Sequence, residues 1–389
     1  MTVKHSEIEK TLTLEKIKLD IDKRTQGELR VFLVSLQLQN TDDDHTRESL
    51  TELEALIRTL GDKCVGTLIQ KRAKPVPATF IGSGKAEEIK EIVRTSKIDY
   101  IVLDQDLSPT QVRNLENLTG RPVLDRTGII LQIFRRNARS KEARTQVEIA
   151  HLEYLAPRLS NEWIAWERQR GGGGSGGRLK GAGETQIEID RRHIKDKISN
   201  LKKELKHIKR ERETQRKLRS NQWNVSLVGY TNAGKTTLMN ALTLSKLSAR
   251  DSLFETLDST VRKLKGGHGL NILVKDTVGF IRNLPHSLVA SFQSTLEEVA
   301  QSDLILHVVD ISNSAYKDHI AVTEDVLKQI HADHVPKIFV FNKFDKLKDE
   351  PNLPKILAKA YPKSVCISSQ NSADIHKLLE TIVDLCLLS

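Results

Sequence analysis

A chain of 389 residues carrying a net charge of +10 has room for two or three domains, each with its own core. No run of about 18 apolar residues is present, which excludes a membrane-spanning helix, and Met1 to Asp20 mixes charges throughout, which excludes a signal-peptide core. Cys64, Cys366 and Cys386 are scattered and form no CxxC, so a disulfide framework and a zinc site are excluded and a reducing cytosol fits best.

After a loose polar start, Val31–Leu36 reads as a strand. Leu50, Leu53, Leu56, Ile57 and Leu60 give Glu48–Leu60 a helical period, and Cys64–Ile69 is a second strand. Gly84–Thr95 reads as a helix and Tyr100–Asp104 as a third strand. Ser108-Pro109 then opens a helix through Leu118, serine as cap and proline at the first position. This alternation predicts a small α/β domain over residues 1–126.

Thr127–Leu155 is expected to be one long helical stretch, with a basic cluster at Arg135–Lys141. The segment from Asn161 to Gly183 holds Trp163 and Trp166 and is the most glycine-dense of the chain. Two readings stay open for it. One is a flexible linker. The other is a loop whose glycine backbone and Arg168, Arg170, Arg178 and Lys180 lie on an RNA phosphate backbone while a tryptophan stacks on a base. Beyond it, Ile187, Ile194, Ile198, Leu201, Leu205 and Ile208 form an a/d seam too short for an extended coiled coil. The preceding helix is its expected antiparallel partner, which makes residues 127–219 a basic helical hairpin with a glycine-rich tip. Between Arg191 and Arg219 thirteen Lys/Arg face four Asp/Glu, a local net of +9 that suits a polyanion such as RNA, or a solvated helix face.

Gly229-Tyr230-Thr231-Asn232-Ala233-Gly234-Lys235-Thr236 fits G-x-x-x-x-G-K-[ST], preceded by the strand-like Trp223–Val228 and followed by a helical run. Backbone N–H groups of such a loop close around phosphates, Lys235 reaches the β- and γ-phosphates, and the Thr236 hydroxyl holds Mg²⁺. Further strands are expected at Ile272–Asp276, Leu304–Asp310, Lys337–Phe341 and Ser364–Ile367, and a last helix over Ser372–Leu385. Residues 220–389 thus read as a doubly wound α/β domain with ligand at the carboxyl ends of its strands. Three more signals fall there. Asp276 of Asp276-Thr277-Val278-Gly279 suits a Mg²⁺ water, and the Gly279 N–H suits the γ-phosphate. In Asn342-Lys343-Phe344-Asp345, the Asp345 carboxylate matches guanine N1 and N2 and argues for GTP over ATP. The third is Ser368-Ser369-Gln370.

Together these residues resemble the G boxes of a small GTPase domain, and Leu253-Phe254-Glu255-Thr256-Leu257-Asp258-Ser259-Thr260 resembles the switch segment of the HflX GTPases, within the Obg–HflX group. Ala78–Lys85, Leu124–Gly128, Gln146–Glu148, Leu155–Leu159 and Gly183–Gln186 are similar to that family's pattern as well. The resemblance implies that Thr256 joins Thr236 on Mg²⁺ and senses the γ-phosphate, with Lys235, Thr256 and Gly279 serving hydrolysis and Phe254 to Asp258 touching nucleotide. It implies that Asn232 could hold K⁺. Phe280 stands where many GTPases carry a water-orienting glutamine, so slow intrinsic hydrolysis is expected. Three departures are visible: Ser259 for proline, Ser369-Gln370 for Ala-Lys, and an end soon after the last helix. The implied function is a cytoplasmic, monomeric GTPase, with peripheral membrane attachment left open. It would act on the large ribosomal subunit and its RNA and split or rescue stalled ribosomes. A ribosome-assembly or RNA-remodelling GTPase and a nucleotide-controlled scaffold for a protein partner are the alternatives.

Overall fold

The computed structural model describes residues 28–39, 41–158, 180–217, 222–243, 245, 253–257, 260–265, 269–282, 298–347 and 352–388. The chain divides into two compact units, Met1–Arg136 and Asn137–Ser389.

The first unit alternates strand and helix: β1 Arg30–Leu38, α1 Asp43–Leu60, β2 Lys63–Arg72, α2 Ser83–Thr95, β3 Tyr100–Leu103, α3 Pro109–Thr119, β4 Val123–Asp125 and α4 Arg126–Asn137. Its four strands are parallel in the order β2-β1-β3-β4. Strand β1 lies inside the sheet and is buried on both faces from Val31 to Gln37, which is why it reads as a nearly unbroken apolar run. The apolar positions expected on α1 are all buried. The Ser108 Oγ accepts from the Gln111 N–H while the Gln111 side chain accepts from the Ser108 N–H, a closed capping box behind Pro109.

The Asp125-Arg126-Thr127-Gly128 stretch is an internal brace. The Arg126 guanidinium, 1% exposed, reaches Asp104 and Glu52 at 2.9 and 2.8 Å and the Ser49 carbonyl at 2.9 Å. Asp125 accepts from the N–H groups of Leu107 and Gly128. Burial lowers the Arg126 pKa, but the two carboxylates outweigh it and hold the guanidinium charged.

The single helix expected over Thr127–Leu155 is two helices. α4 ends at Asn137, and α5 spans Lys141–Leu155. Ser140 starts the second, its Oγ accepting from Ala143 N–H at 3.0 Å. α6 runs over Lys180–Lys217 and packs on α5, the expected partner. The seam positions Ile194, Ile198, Leu201, Leu205 and Ile208 are half-buried, as are Lys197 and Glu204, and the other described basic positions between them are exposed. Lys141–Glu204 and Glu148–Lys197 follow one antiparallel register. That register sets Glu153 opposite Arg192, yet Glu153 pairs with Lys202 at 2.8 Å, ten residues or about 15 Å along the helix. The three ion pairs of α5 thus converge on the Lys197–Glu204 stretch of α6.

The second unit continues with β5 Trp223–Val228, α7 Lys235–Thr243, β6 Thr260–Lys263, β7 Ile272–Asp276, β8 Leu304–Asp310, α8 Tyr316–Gln329, β9 Lys337–Asn342, α9 Leu353–Ala360, β10 Ser364–Cys366 and α10 Ser372–Leu388. The six-stranded order is β10-β9-β8-β5-β7-β6, parallel except for β6 on β7. From β5 the chain winds one way to β6 and β7, then crosses to β8 on the other side. The crevice of this switch point opens at the carboxyl end of β5, where the glycine loop begins. Beneath it Val225, Leu227, Leu238, Leu306 and Val340 share one buried cluster.

Candidate nucleotide-binding site

Backbone geometry explains the glycines of the loop. Gly229 has φ 149°, and a Cβ there would lie 2.2 Å from the Val308 carbonyl oxygen, so only glycine lets the loop leave β5 against β8. Gly234 has φ 93°, and its Cβ would meet Asn342 Nδ2 at 2.3 Å. That close approach lets Asn342 Nδ2 donate to the Ala233 carbonyl at 2.9 Å. The Asn342 Oδ1 accepts from the Ser369 N–H and hydroxyl at 3.1 and 2.8 Å. One buried amide thus ties three of the sequence-identified stretches together. Lys343 adds a second tie, donating to the Asn232 carbonyl at 2.8 Å and pairing with Asp310 at 2.7 Å.

The Asp345 carboxylate is exposed among the described residues.

Lys235 is buried at the first turn of α7, and its ammonium donates to the carbonyls of Gly229 and Tyr230 at 3.0 and 2.8 Å. Burial lowers its pKa to about 8, opposed by Asp276 and assisted by Lys343. Next to it, Thr236 Oγ1 and Thr256 Oγ1 lie 3.1 Å apart and donate to Asp276 Oδ2 at 2.8 and 3.1 Å. Burial raises the Asp276 pKa against Lys235 and the two threonines, and its Oδ1 has no hydrogen-bond partner among the described residues. Two hydroxyls and a carboxylate with an orphaned oxygen are a hard-oxygen donor set that fits Mg²⁺.

The switch stretch is packed by its own apolar residues. Leu253, Phe254 and Leu257 are buried, and Phe254 takes the left-handed backbone at φ 58°, rare for a bulky residue. Its carbonyl accepts from Asn137 Nδ2 at 2.8 Å. Gly279 lies over the glycine loop, where a Cβ would sit 2.8 Å from Thr231 Cγ2 and 3.1 Å from Lys235 Nζ. The Phe280 N–H donates to the Gly229 carbonyl, its carbonyl accepts from the Thr231 N–H, and its ring is buried.

Asp258, Ser259, Arg168, Arg170, Arg178 and the two tryptophans at 163 and 166 lie outside the described residues, and Lys180 is described only as the start of α6. Sequence reasoning missed a clamp on the loop's outer side. The Tyr230 ring stacks on His319 at 3.8 Å, its hydroxyl accepts from the Arg282 N–H, and Arg282 pairs with Asp318. Burial, then the Arg282 charge, lowers the His319 pKa to about 4 against Asp310 and Asp318, so its ring is neutral at pH 7. No local pattern marks this clamp, because its members come from three separate stretches.

Comparison with known proteins covers most of the chain. Residues 47–135 match the family described as "GTP-binding GTPase N-terminal", 137–219 the "GTP-binding GTPase Middle Region", and 224–343 the "50S ribosome-binding GTPase" family. The chain is 40% identical to GTPase HflX of Gluconacetobacter diazotrophicus over 90% of its own length and 84% of that protein's. It is 45% identical to GTPase HflX of Flavobacterium psychrophilum over 84% of its length and 78% of that protein's. The crystal structure of the SsGBP and GDP complex aligns with a TM-score of 0.51 and 25% identity, covering 92% of this chain and 98% of that one. Likeness of this extent, on a sheet that assembles the expected motifs around one crevice, makes this chain a member of the HflX family of GTPases.

Proposed function

We propose that the chain is a Mg²⁺-dependent GTPase that associates with the large ribosomal subunit and splits or rescues stalled ribosomes. The observation that carries this reading is the meeting of Thr236, Thr256 and Asp276 within hydrogen-bond distance. It joins the glycine loop, the switch stretch and β7 at a point where a metal and a γ-phosphate would be felt together. Thr236 and Thr256 would hold Mg²⁺ directly and Asp276 through water. The ion would neutralise charge developing on the phosphates. Residues 229–236, 254–258, 276–279, 342–345 and 368–370 would form the nucleotide site, with Lys235, Thr256 and Gly279 serving hydrolysis. K⁺ at Asn232 belongs to the same proposal, and comparing rates in K⁺ and Na⁺ tests it.

The ribosomal partner is supported by the basic face of α6 and by the family description "50S ribosome-binding GTPase". The three-part organisation, residues 1–126, 127–219 and 220–389, assigns RNA contact to the middle part. The deciding experiment is sedimentation with purified large subunits in the presence of a GTP analogue or GDP, across a salt series. Binding should be stronger with the analogue and fall steeply with salt. Alanines at Arg168, Arg170 and Lys180 should weaken it, and unchanged binding would remove those residues from the interface. Light scattering on intact ribosomes separates splitting from an assembly role. Partner binding that survives RNase would favour a protein scaffold instead.

A further inference from the structure

We infer that Thr231 is a further catalytic residue of the GTPase centre, its hydroxyl holding the attacking water. This rests on the GTPase reading of the site. Thr231 is 6% exposed, and its Oγ1 is buried with no hydrogen-bond partner among the described residues. Leaving a hydroxyl buried and unmet costs about 1–3 kcal/mol, so it calls for an occupant that the protein itself does not supply.

Three other threonine hydroxyls described around the crevice are committed. Thr236 and Thr256 donate to Asp276, and Thr277 donates to the Leu227 carbonyl at 2.6 Å. Asn232 is exposed. Phe280 presents a buried ring that can neither orient nor accept from water. Among the described residues, Thr231 combines an uncommitted hydroxyl with a position beside Gly279 and Lys235. An ideal Cβ on Gly279 would come within 2.8 Å of Thr231 Cγ2, 2.9 Å of its Cα and 3.1 Å of Lys235 Nζ, so Thr231, methyl group nearest, lies beside the two groups assigned to the γ-phosphate. Its backbone is fixed there by the N–H bond to the Phe280 carbonyl at 2.7 Å. Lysine, the Gly279 N–H and the metal already answer the phosphate oxygens. The water is the reactant without a protein partner, and a hydroxyl can accept from it.

In the step, the water oxygen forms the new bond to the γ-phosphorus. The bond from that phosphorus to the β,γ-bridging oxygen breaks, and its electron pair stays on GDP. One water proton remains on the released phosphate and the other goes to solvent. Thr231 orients the water and is unchanged.

The test is single-turnover GTP hydrolysis by the full chain, alongside affinities for GDP and a non-hydrolysable GTP analogue. Thr231→Val, isosteric but without the hydroxyl, should slow hydrolysis by about tenfold or more while analogue affinity stays within about threefold. Thr231→Ser should keep at least about a third of the wild-type rate. Thr231→Ala serves as a second hydroxyl-free variant in case valine distorts the loop, and the same loss is expected. Wild-type rates in a hydroxyl-free variant that binds the analogue would overturn the assignment. So would serine as slow as valine, or a rate loss matched by lost analogue affinity with GDP unaffected, which would place the hydroxyl on the phosphate. Failure of the wild-type chain to bind the analogue or to hydrolyse GTP would instead defeat the GTPase reading itself.

Discussion

The Asn342 amide and the Asp345 carboxylate are three residues apart in sequence, yet the structure gives them separable roles. Asn342 is 2% exposed and makes three hydrogen bonds, one to the glycine loop and two to Ser369. Asn342→Ala removes all three. Each is worth about 1 kcal/mol net, and the half-buried Ser369 can recover part of its share from water, so the loss should be about 2–3 kcal/mol. For a unit of this size that is a fall of about 4–10 °C in the melting temperature of the nucleotide-free protein. Asp345 is exposed and should contribute nothing measurable to that temperature. Asp345→Asn should instead leave the melting curve in place, weaken GDP binding and shift preference toward xanthosine diphosphate, whose ring reverses the donor pattern. The assay is differential scanning fluorimetry without nucleotide, paired with fluorescent-nucleotide titrations of both variants. An unchanged melting temperature for Asn342→Ala, or one lowered equally by Asp345→Asn, would refute this division between bracing and base reading.

Three further outcomes are expected. Gly229→Ala combines a left-handed backbone with a Cβ 2.2 Å from the Val308 carbonyl oxygen, so GDP binding should be lost and the second unit destabilised, read by titration and urea unfolding. Thr256→Ala should leave GDP affinity within about threefold but abolish the Mg²⁺-dependent preference for a GTP analogue, measured by titration with and without EDTA. His319 has a folded pKa near 4 against an ordinary value of 6.5, so the unfolded chain binds more protons between those values and stability falls as pH drops through that window. His319→Phe keeps a ring on Tyr230 without the titration, and its urea midpoint should lose less between pH 6.5 and 4 than the wild type's.

What was legible in the sequence was what repeats locally. The apolar period of α1, the serine-proline start of α3 and the four strand-end motifs each reflect a short-range rule, and each stretch forms the element expected of it. The break at Ala138–Ser140 was hidden because the arginines there suit a helix. Only Ser140 at position three before Ala143 signals a restart. Strands β4 and β6, with three and four residues, carry no sustained apolar run of their own, and pairing with β3 and β7 defines them. The contacts that set the site are longer still. Asn137 meets Phe254 across 117 residues, and Asn342 meets Ala233 across 109. Such pairings follow from topology, on which a single sequence is silent.

The switch stretch shows how a weak lever can work here. Phe254 sits in a backbone conformation that costs about 1–3 kcal/mol for a bulky side chain. Burial of Leu253, Phe254 and Leu257 and the Asn137 hydrogen bond offset that strain with protein groups alone. Thr256 is thereby held against Thr236 and Asp276 by contacts that do not involve the γ-phosphate. On the proposed reading of Leu253–Leu257 as a switch, a segment so balanced would lie within a few kcal/mol of its alternative. Moving it from mostly open to mostly closed then takes only about a hundredfold difference in affinity between states, well below the ten-thousandfold that a strongly biased switch would demand. Any partner touching the Leu253–Leu257 stretch can supply energy on that scale, equal to a few hydrogen bonds. Asn137→Ala removes one of the restraints and should shift the balance toward the open form. GTP-analogue affinity should fall about three- to tenfold with GDP affinity unchanged, and equal losses for both nucleotides would show that Asn137 braces the fold rather than the switch.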